Sequence, residues 1–518
     1  MKASRNLISW CCGALTGLFV AFAFCPDRLD AQERVRVNEE LIFGHAGVEF
    51  ADVDGDGDLD WISLAGPSGI ALRLNDGIGN FLDATAGRIP IGITPVGASP
   101  LRLIVRDITG DGFVDIVFPY GATTQPGFGI GLLQNDGNGV FRDVTSTKMP
   151  PPAPFVPERF AVVDIDGDSD PDLVLPFRGS SAQLWINLGD GAFVDRTSSM
   201  IPGSPVAWNI VPGDIDGDKD IDLLFVGSRG PLRMLLNDGK GHFAPSHNHS
   251  FLTTREGIVS ANLLDVDCDG DVDAFVLTEY ADYLFINDGS GRFKDESYRM
   301  PKPVGYGGSL ISVPGDFDGN GSLDILVSCF FPFSSYPKHI NYLLNDGKGN
   351  FTFVGAVIRD PGGLHIVEEC SVADMDNDGD DDLFVLSRPT SPLDPIRCRT
   401  WRNLHRHLFV PQNPQLGKPL TLELHSLLAS SIVLPFLAAE DANIRLPGIS
   451  GLLRCDPANT VALGAIAVTT PGLVTMTLPI PNHPKLLGFD FTLQALIFDA
   501  KQPRPIGFTN PVTKTIKR

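Results

Sequence analysis

Apolar residues along this chain come in short bursts at a regular interval. They read "WISL" at Trp61, "IVFP" at Ile116, "LVLP" at Leu173, "LLFV" at Leu223, "AFVL" at Ala274, "ILVS" at Ile325 and "LFVL" at Leu383. Runs this short, rich in β-branched and aromatic residues and bounded by turn residues, predict buried strands. A nine-residue acidic segment precedes each burst, beginning with "DVDGDGDLD" at Asp52 and recurring at intervals of 55, 57, 50, 51, 51 and 58 residues. A second punctuation follows each burst, from "LNDGIGNF" at Leu74 to "LNDGKGNF" at Leu344. Asn, Asp and Gly tolerate the positive φ of tight turns, so these segments predict hairpins. In the seventh copy the turn decays to "RNLHRHLF", which keeps Asn403 and Phe409 but loses every glycine.

One repeat therefore reads as strand, acidic loop, strand, connection, strand, Asn-Asp-Gly turn, strand. Four antiparallel strands in ~50 residues is the size of a propeller blade. One blade cannot bury both faces, so seven set radially share a core. The expected fold class is all-β: a seven-bladed β-propeller of four-stranded blades, residues 32–412, followed by a small β-sandwich module, residues 413–518. The outermost strand of the last repeat is "HLFVPQ" near Leu408 or "ERVRVNEE" near the mature N-terminus, and the second choice would latch the two chain ends together. Residues 1–31 read as an export signal. Lys2 and Arg5 precede an apolar run from Leu7 to Phe24, with small-residue cleavage options at Ala23 or Ala31. An uncleaved anchor is the alternative, since ~18 apolar residues is the lower limit of a span. No later segment reads as transmembrane, and the expected location is secreted or cell-surface.

The acidic loops carry the chemistry. Side-chain oxygens stand at the first, third, fifth and ninth positions, and the seventh residue can offer its backbone carbonyl. The first loop thus offers Asp52, Asp54, Asp56, Asp58 and Asp60; the second Asp107, Thr109, Asp111, Phe113 and Asp115. The third offers Asp164, Asp166, Asp168, Asp170 and Asp172, and the fourth Asp214, Asp216, Asp218, Asp220 and Asp222. The fifth offers Asp265, Asp267, Asp269, Asp271 and Asp273. The sixth offers Asp316, Asp318, Asn320, Ser322 and Asp324, and the seventh Asp374, Asp376, Asp378, Asp380 and Asp382. Alternating oxygens without nitrogen or sulfur suit a hard cation. Two carboxylates ~5 Å apart repel by about 3 kcal/mol at an effective dielectric of 20, so such loops would splay without one. The loops hold 32 of the chain's 63 acidic residues. Up to seven Ca²⁺ would offset much of the formal charge of -23. An EF-hand is excluded, because strands flank the loops and Ser63 stands where a bidentate Glu belongs.

On these motifs the chain resembles the FG-GAP/VCBS repeat family, which builds the calcium-binding seven-bladed propeller of integrin α-chains and of bacterial secreted proteins. The resemblance spans roughly residues 40–412 and implies Ca²⁺ sites within the blades and a surface for adhesion or ligand recognition. Thr109 and Asn320 depart from the acidic pattern, so weaker binding is expected at those two loops. Ser169 and Lys219 stand where a sixth-position glycine is usual, leaving the turn to Gly167 and Gly217.

Strong acidity excludes phosphate-backbone binding, so nucleic acid is not an expected partner. The acidity ends with the repeats: residues 414–518 hold nine Lys/Arg and six Asp/Glu. There "VTMTLPI" and "FDFTLQALIFDA" alternate as strands do, and the stretch that follows Leu487 is similar to a C-terminal module found after secreted repeat domains of bacteria. Beyond the leader lie five cysteines, Cys268, Cys329, Cys370, Cys398 and Cys455, with no C-x-x-C or Cys/His zinc spacing. None of the nucleophile-elbow, H-E-x-x-H or P-loop motifs occurs. His247 and His249 read as a solvated connection. The connections opposite the acidic loops carry Tyr120, Phe155, Tyr306, Phe330, Phe331, Phe333 and Tyr336, with Arg178, Arg229 and Arg388 nearby. Such residues suit sugars or acidic chains, or pack between blades. The expected function is a non-catalytic binding or adhesion module for an extracellular glycan or surface protein. The alternative is a calcium-dependent polysaccharide lyase or hydrolase.

Overall fold

The computed structural model describes residues 23–24 and 35–516, apart from short stretches that include 41–45, 94–101, 122–127, 152–158, 247–256, 302–308, 318–321, 330–338, 360–364, 376–381, 390–396, 446–451 and 499–505. Six sheets are each built from four consecutive antiparallel strands, and they form the blades of a β-propeller. The first blade comprises Ala46–Ala51, Asp60–Leu64, Ile70–Asn75 and Phe81–Asp83. The fourth comprises Asn209–Gly213, Asp222–Val226, Arg233–Asn237 and Phe243–Pro245. A further four-stranded sheet joins both ends of the repeat region. Val35–Glu40 pairs with Arg397–Asn403, next to Asp382–Pro389 and then His365–Ala373. Leu408–Phe409 pairs instead with Leu424 and Glu423, so of the two strands offered by the sequence the N-terminal one joins this sheet.

The apolar bursts form the second strand of each blade and are buried along their whole length, as in Asp60–Leu64, Asp172–Phe177 and Asp222–Val226. Both of their faces meet a neighbouring blade, which is why these runs are continuously apolar rather than alternating. Every seam has its own apolar cluster. Phe225 and Leu184 meet between the third and fourth blades, and Phe285 and Met234 between the fourth and fifth. Tyr342 and Val385 pack between the sixth blade and the composite sheet, and Trp61 and Phe384 between that sheet and the first blade. The Trp61 and Phe384 rings meet edge-on with centroids 5.2 Å apart.

The C-terminal residues form separate sheets. Pro419–Leu427 pairs with Gly472–Pro479, which also pairs with the two-residue strand Ala23–Phe24. Ile432–Ala438 pairs with Asp490–Phe498 in a six-stranded sheet. Among the described residues helix is confined to single turns such as Thr145–Lys148 and Thr197–Met200, and no helix is long and apolar enough to cross a membrane.

Candidate metal centres

Each acidic loop joins the first and second strands of its blade, and each Asn-Asp-Gly turn joins the third and fourth, so both lie at the same end of the sheet. The ninth-position aspartates are wholly buried. In the fourth blade Asp222 accepts from Ile215 N at 2.9 Å and from Asn237 N at 2.7 Å, tying loop to turn. The same pair of bonds recurs at Asp60, Asp172 and Asp273. Turn asparagines do more than shape a turn. Asn237 Nδ2 donates to Ile221 O of its own loop and, at 2.7 Å, to Ile165 O of the preceding blade. Its Oδ1 accepts from Gly241 N. Asn135, Asn187, Asn287 and Asn345 make the same inter-blade bond, and Asn75 makes it to Met375 O across the composite sheet's seam.

First-position carboxylates cap the loop. Asp52 accepts from Gly55 N and Gly57 N, and Asp164 from Gly167 N and Ser169 N. The fourth and sixth residues must both turn their N–H groups inward, and both adopt positive φ: Gly167 and Ser169 at 79° and 76°, Gly217 and Lys219 at 80° and 78°. The reading that left the turn to the fourth-position glycine alone is corrected here. Cys268 holds the fourth position of the fifth loop at φ 60° as an exposed thiol. A side chain in this region costs about 1 kcal/mol or more, so Ser169→Gly and Lys219→Gly are expected to raise the melting temperature slightly. A lowered Tm in both variants would contradict that.

Fifth-position carboxylates accept from the N–H two residues on, as Asp56 does from Asp58 and Asp218 from Asp220. Seventh-position side chains point at their own blade's turn: a Cβ at Gly189 would lie 2.9 Å from Asp170 Oδ2, and one at Gly239 2.5 Å from Asp220 Oδ2. In the second blade the Phe113 ring occupies that place against Gly137. The third position differs from all of these. Oδ1 of Asp54, Asp166, Asp216 and Asp267 is buried without a hydrogen-bond partner. The next blade's turn covers it, Gly241 lying against Asp166 Cβ and Gly291 against Asp216 Cβ. Burial, followed by the charge of neighbouring carboxylates, raises all four carboxyls above their ordinary value.

In the same loops carboxylate oxygens come together. Those of Asp52, Asp54 and Asp56 lie within 4.8 Å of one another, as do those of Asp214, Asp216 and Asp218 and those of Asp265, Asp267 and Asp269. In the third loop Asp164 and Asp166 are joined by Asp172 within the same distance. A buried carboxylate oxygen without a partner is costly, and four at matched positions fit a divalent cation. Asp318, Asn320, Asp376, Asp378 and Asp380 lie outside the described residues. So do Phe155, Tyr306, Phe330, Phe331, Phe333, Tyr336, His247, His249, Arg178 and Arg229. Tyr120 is described: it packs over Gly129 in its own blade, its ring centroid 6.4 Å from that of Phe118.

Desolvation raises the carboxyls of Asp60, Asp172 and Asp273 to about 7 and that of Asp222 to about 6, against the backbone N–H bonds that lower them. These folded values exceed the unfolded ones, so the folded chain holds extra protons between about pH 4 and 7. Cation-free stability therefore falls as pH rises through that window. Asp190, Asp288 and Asp346 shift downward through Lys148, Ser290 and Asn350, and their contribution is lost only as pH falls below the ordinary carboxyl range. Chelator-treated protein should unfold at higher denaturant at pH 5.5 than at pH 7.5. With calcium present the order should reverse, because ligands must shed protons to bind. Parallel pH profiles in the two states would refute this.

The FG-GAP-like repeat model matches residues 44–118, 164–225, 214–276, 265–327 and 332–385, more than half of the chain. The chain belongs to the FG-GAP-like repeat family. No curated protein matches this FG-GAP-like chain significantly. Among solved structures, the chain is similar to an Agrocybe aegerita lectin described by its recognition of non-reducing terminal N-acetylglucosamine. Identity is 19% and the TM-score 0.43, over 62% of this chain and 83% of that one. BBS1N in complex with ARL6DN is 12% identical with a TM-score of 0.46, over 74% and 96%. AofleA from Arthrobotrys oligospora is 9% identical with a TM-score of 0.35, over 64% and 95%.

Proposed function

We propose that this FG-GAP-like protein is a calcium-stabilised, seven-bladed propeller that works outside the cell as a non-catalytic binding or adhesion module. In this reading the composite sheet is the seventh blade, the C-terminal sheets form a β-sandwich, and the ligand is a glycan or a surface protein. The observation that carries it is the buried, unpartnered third-position oxygen of Asp54, Asp166, Asp216 and Asp267, in loops where that aspartate and two further aspartates bring a carboxylate oxygen each within 4.8 Å of one another. An all-oxygen set of this kind favours Ca²⁺, and extracellular modules fill at the ~10⁻⁴–10⁻³ M found there. In the described loops the first-, fifth- and ninth-position carboxylates are already fastened to backbone N–H groups, as Asp52, Asp56 and Asp60 are. That fixed structural task favours binding over acid–base chemistry.

The test is retention of the calcium-loaded chain on a panel of extracellular polysaccharides, with a parallel assay for released sugar fragments. Retention without fragments is expected. Released fragments would replace the binding reading with an enzymatic one, and absence of retention would move the ligand to proteins.

A further inference from the structure

We propose that the protein supplies its own donor or positive charge at three loops and so grades their hold on a divalent cation. The second loop takes no ion, the first and fifth bind weakly, and the third fills first. This rests on the cation reading above and concerns the five loops whose acidic positions are all described.

The second loop is sealed from within. Thr109 stands at the third position, and Gln134 holds a place that is Leu74, Ile186, Leu236 and Ile286 in the other four blades. Gln134 Nε2 donates to Asp111 Oδ2 at 3.2 Å and to Thr109 Oγ1 at 3.4 Å. Thr109 N–H also turns inward, donating to Asp115 Oδ2 at 3.0 Å beside the bond from Ile108 N. The oxygens that a cation would gather are thus already gathered by an amide, and an arriving ion would face the donor hydrogens of Gln134. Among the described residues no buried side-chain oxygen of this loop is left without a partner, in contrast to the orphaned oxygens of its neighbours.

In the first and fifth loops an arginine stands guard. Arg88 Nη1 lies 4.0 Å from Asp54 Oδ2, and Arg299 Nη1 lies 3.4 Å from Asp267 Oδ2. Both come from the turn after the fourth strand and reach across the seam to a carbonyl of the next blade's turn, Asn138 O for Arg88 and Lys348 O for Arg299. Each guanidinium sits on the Oδ2 side, while Oδ1 stays buried without a partner. Each site survives with a positive group at its edge, whole at Arg88 and partly offset at Arg299, whose Nε also pairs with Glu296 Oε2. The third blade shows the contrast. Thr85 and Thr197 each accept the same kind of strand N–H, from Leu72 and Leu184, and three residues later stand Arg88 and Met200. Met200 lies against Gly241, beside the turn that covers Asp166, and brings no charge. Among the described residues neither Asp166 nor Asp216 forms an ion pair with a lysine or arginine, whereas Asp54 and Asp267 each do. A unit charge a few ångströms from a divalent ion near the surface weakens its binding by about tenfold.

The full chain, stripped with chelator, is titrated with Ca²⁺ alone by calorimetry, and bound ions are counted by native mass spectrometry. Arg88→Gln and Arg299→Gln keep a donor for the carbonyl but drop the charge. Each should tighten one weak site about tenfold without changing the saturating count. Asp216→Asn should remove one ion and Asp111→Asn none, while Thr109→Asp with Gln134→Leu should add one. Loss of an ion in Asp111→Asn, or unchanged isotherms in both arginine variants, would overturn the grading while leaving the cation reading intact. A wild-type chain that binds no calcium would overturn both. If the double variant fails to fold, Asp111→Asn alone decides the second loop.

Discussion

Removing divalent cations is expected to lower the melting temperature of this protein by roughly 10–20 °C. Each filled site at a hundred times its Kd adds about 2.7 kcal/mol, because the ion binds the folded loop and not the open chain. At least two loops, the third and fourth, present the orphaned oxygens of Asp166 and Asp216, and neither carboxylate forms an ion pair among the described residues. The loss is larger than mass action alone suggests, since these carboxylates, once emptied, repel each other at partly buried positions. Asp216→Asn should reproduce part of the effect in calcium and shrink the chelator effect in proportion. An unchanged melt in excess chelator would sink the metal reading and leave the loops as acidic turns.

The repeat period, the apolar second strands and the acidic loops were legible in the sequence because each is a local pattern. The strands "VTMTLPI" and "FDFTLQALIFDA" were legible for the same reason, and they lie in Gly472–Pro479 and Asp490–Phe498. What escaped is chemistry that depends on neighbours distant along the chain. Thr109 reads as a weakened ligand until Gln134, 25 residues on, is seen donating to it. Nothing in the sequence pattern marks Arg88 and Arg299, which only the seam brings to Asp54 and Asp267. The ninth-position aspartates read as ligands, and the structure adds a second task that the sequence does not show, since both oxygens of Asp60, Asp172, Asp222 and Asp273 accept backbone N–H bonds that tie loop to turn. One signal for the asparagine stitch was present. In "INLGDGAF" the aspartate is replaced by Leu188 and in "RNLHRHLF" the glycines vanish, yet Asn187 and Asn403 remain. A residue that outlasts the turn chemistry around it has a task beyond the turn.

That task sets the second large effect. Asn237→Ala is expected to destabilise the propeller by roughly 3–6 kcal/mol, among the largest single losses available outside the apolar clusters. The substitution removes the bonds to Ile165 O, Ile221 O and Gly241 N, three backbone groups that Asn237 serves at a position only 6% exposed. Each buried group left without a partner costs about 1–3 kcal/mol, since water cannot follow it into the seam. Asn237→Asp separates the donors from the acceptor: it keeps an oxygen for Gly241 N but removes both N–H donors and buries a charge, so it should be no milder. Asp238→Ala, one residue on, is the control. Asp238 caps Lys240 N and His242 N from an exposed position, and its loss should cost about 1 kcal/mol or less. Denaturant unfolding in saturating calcium measures all three, with the cation contribution held constant. If Asn237→Ala matched Asp238→Ala, the blades would be held by their apolar clusters alone, and the persistence of asparagine through the decaying turns would need another cause.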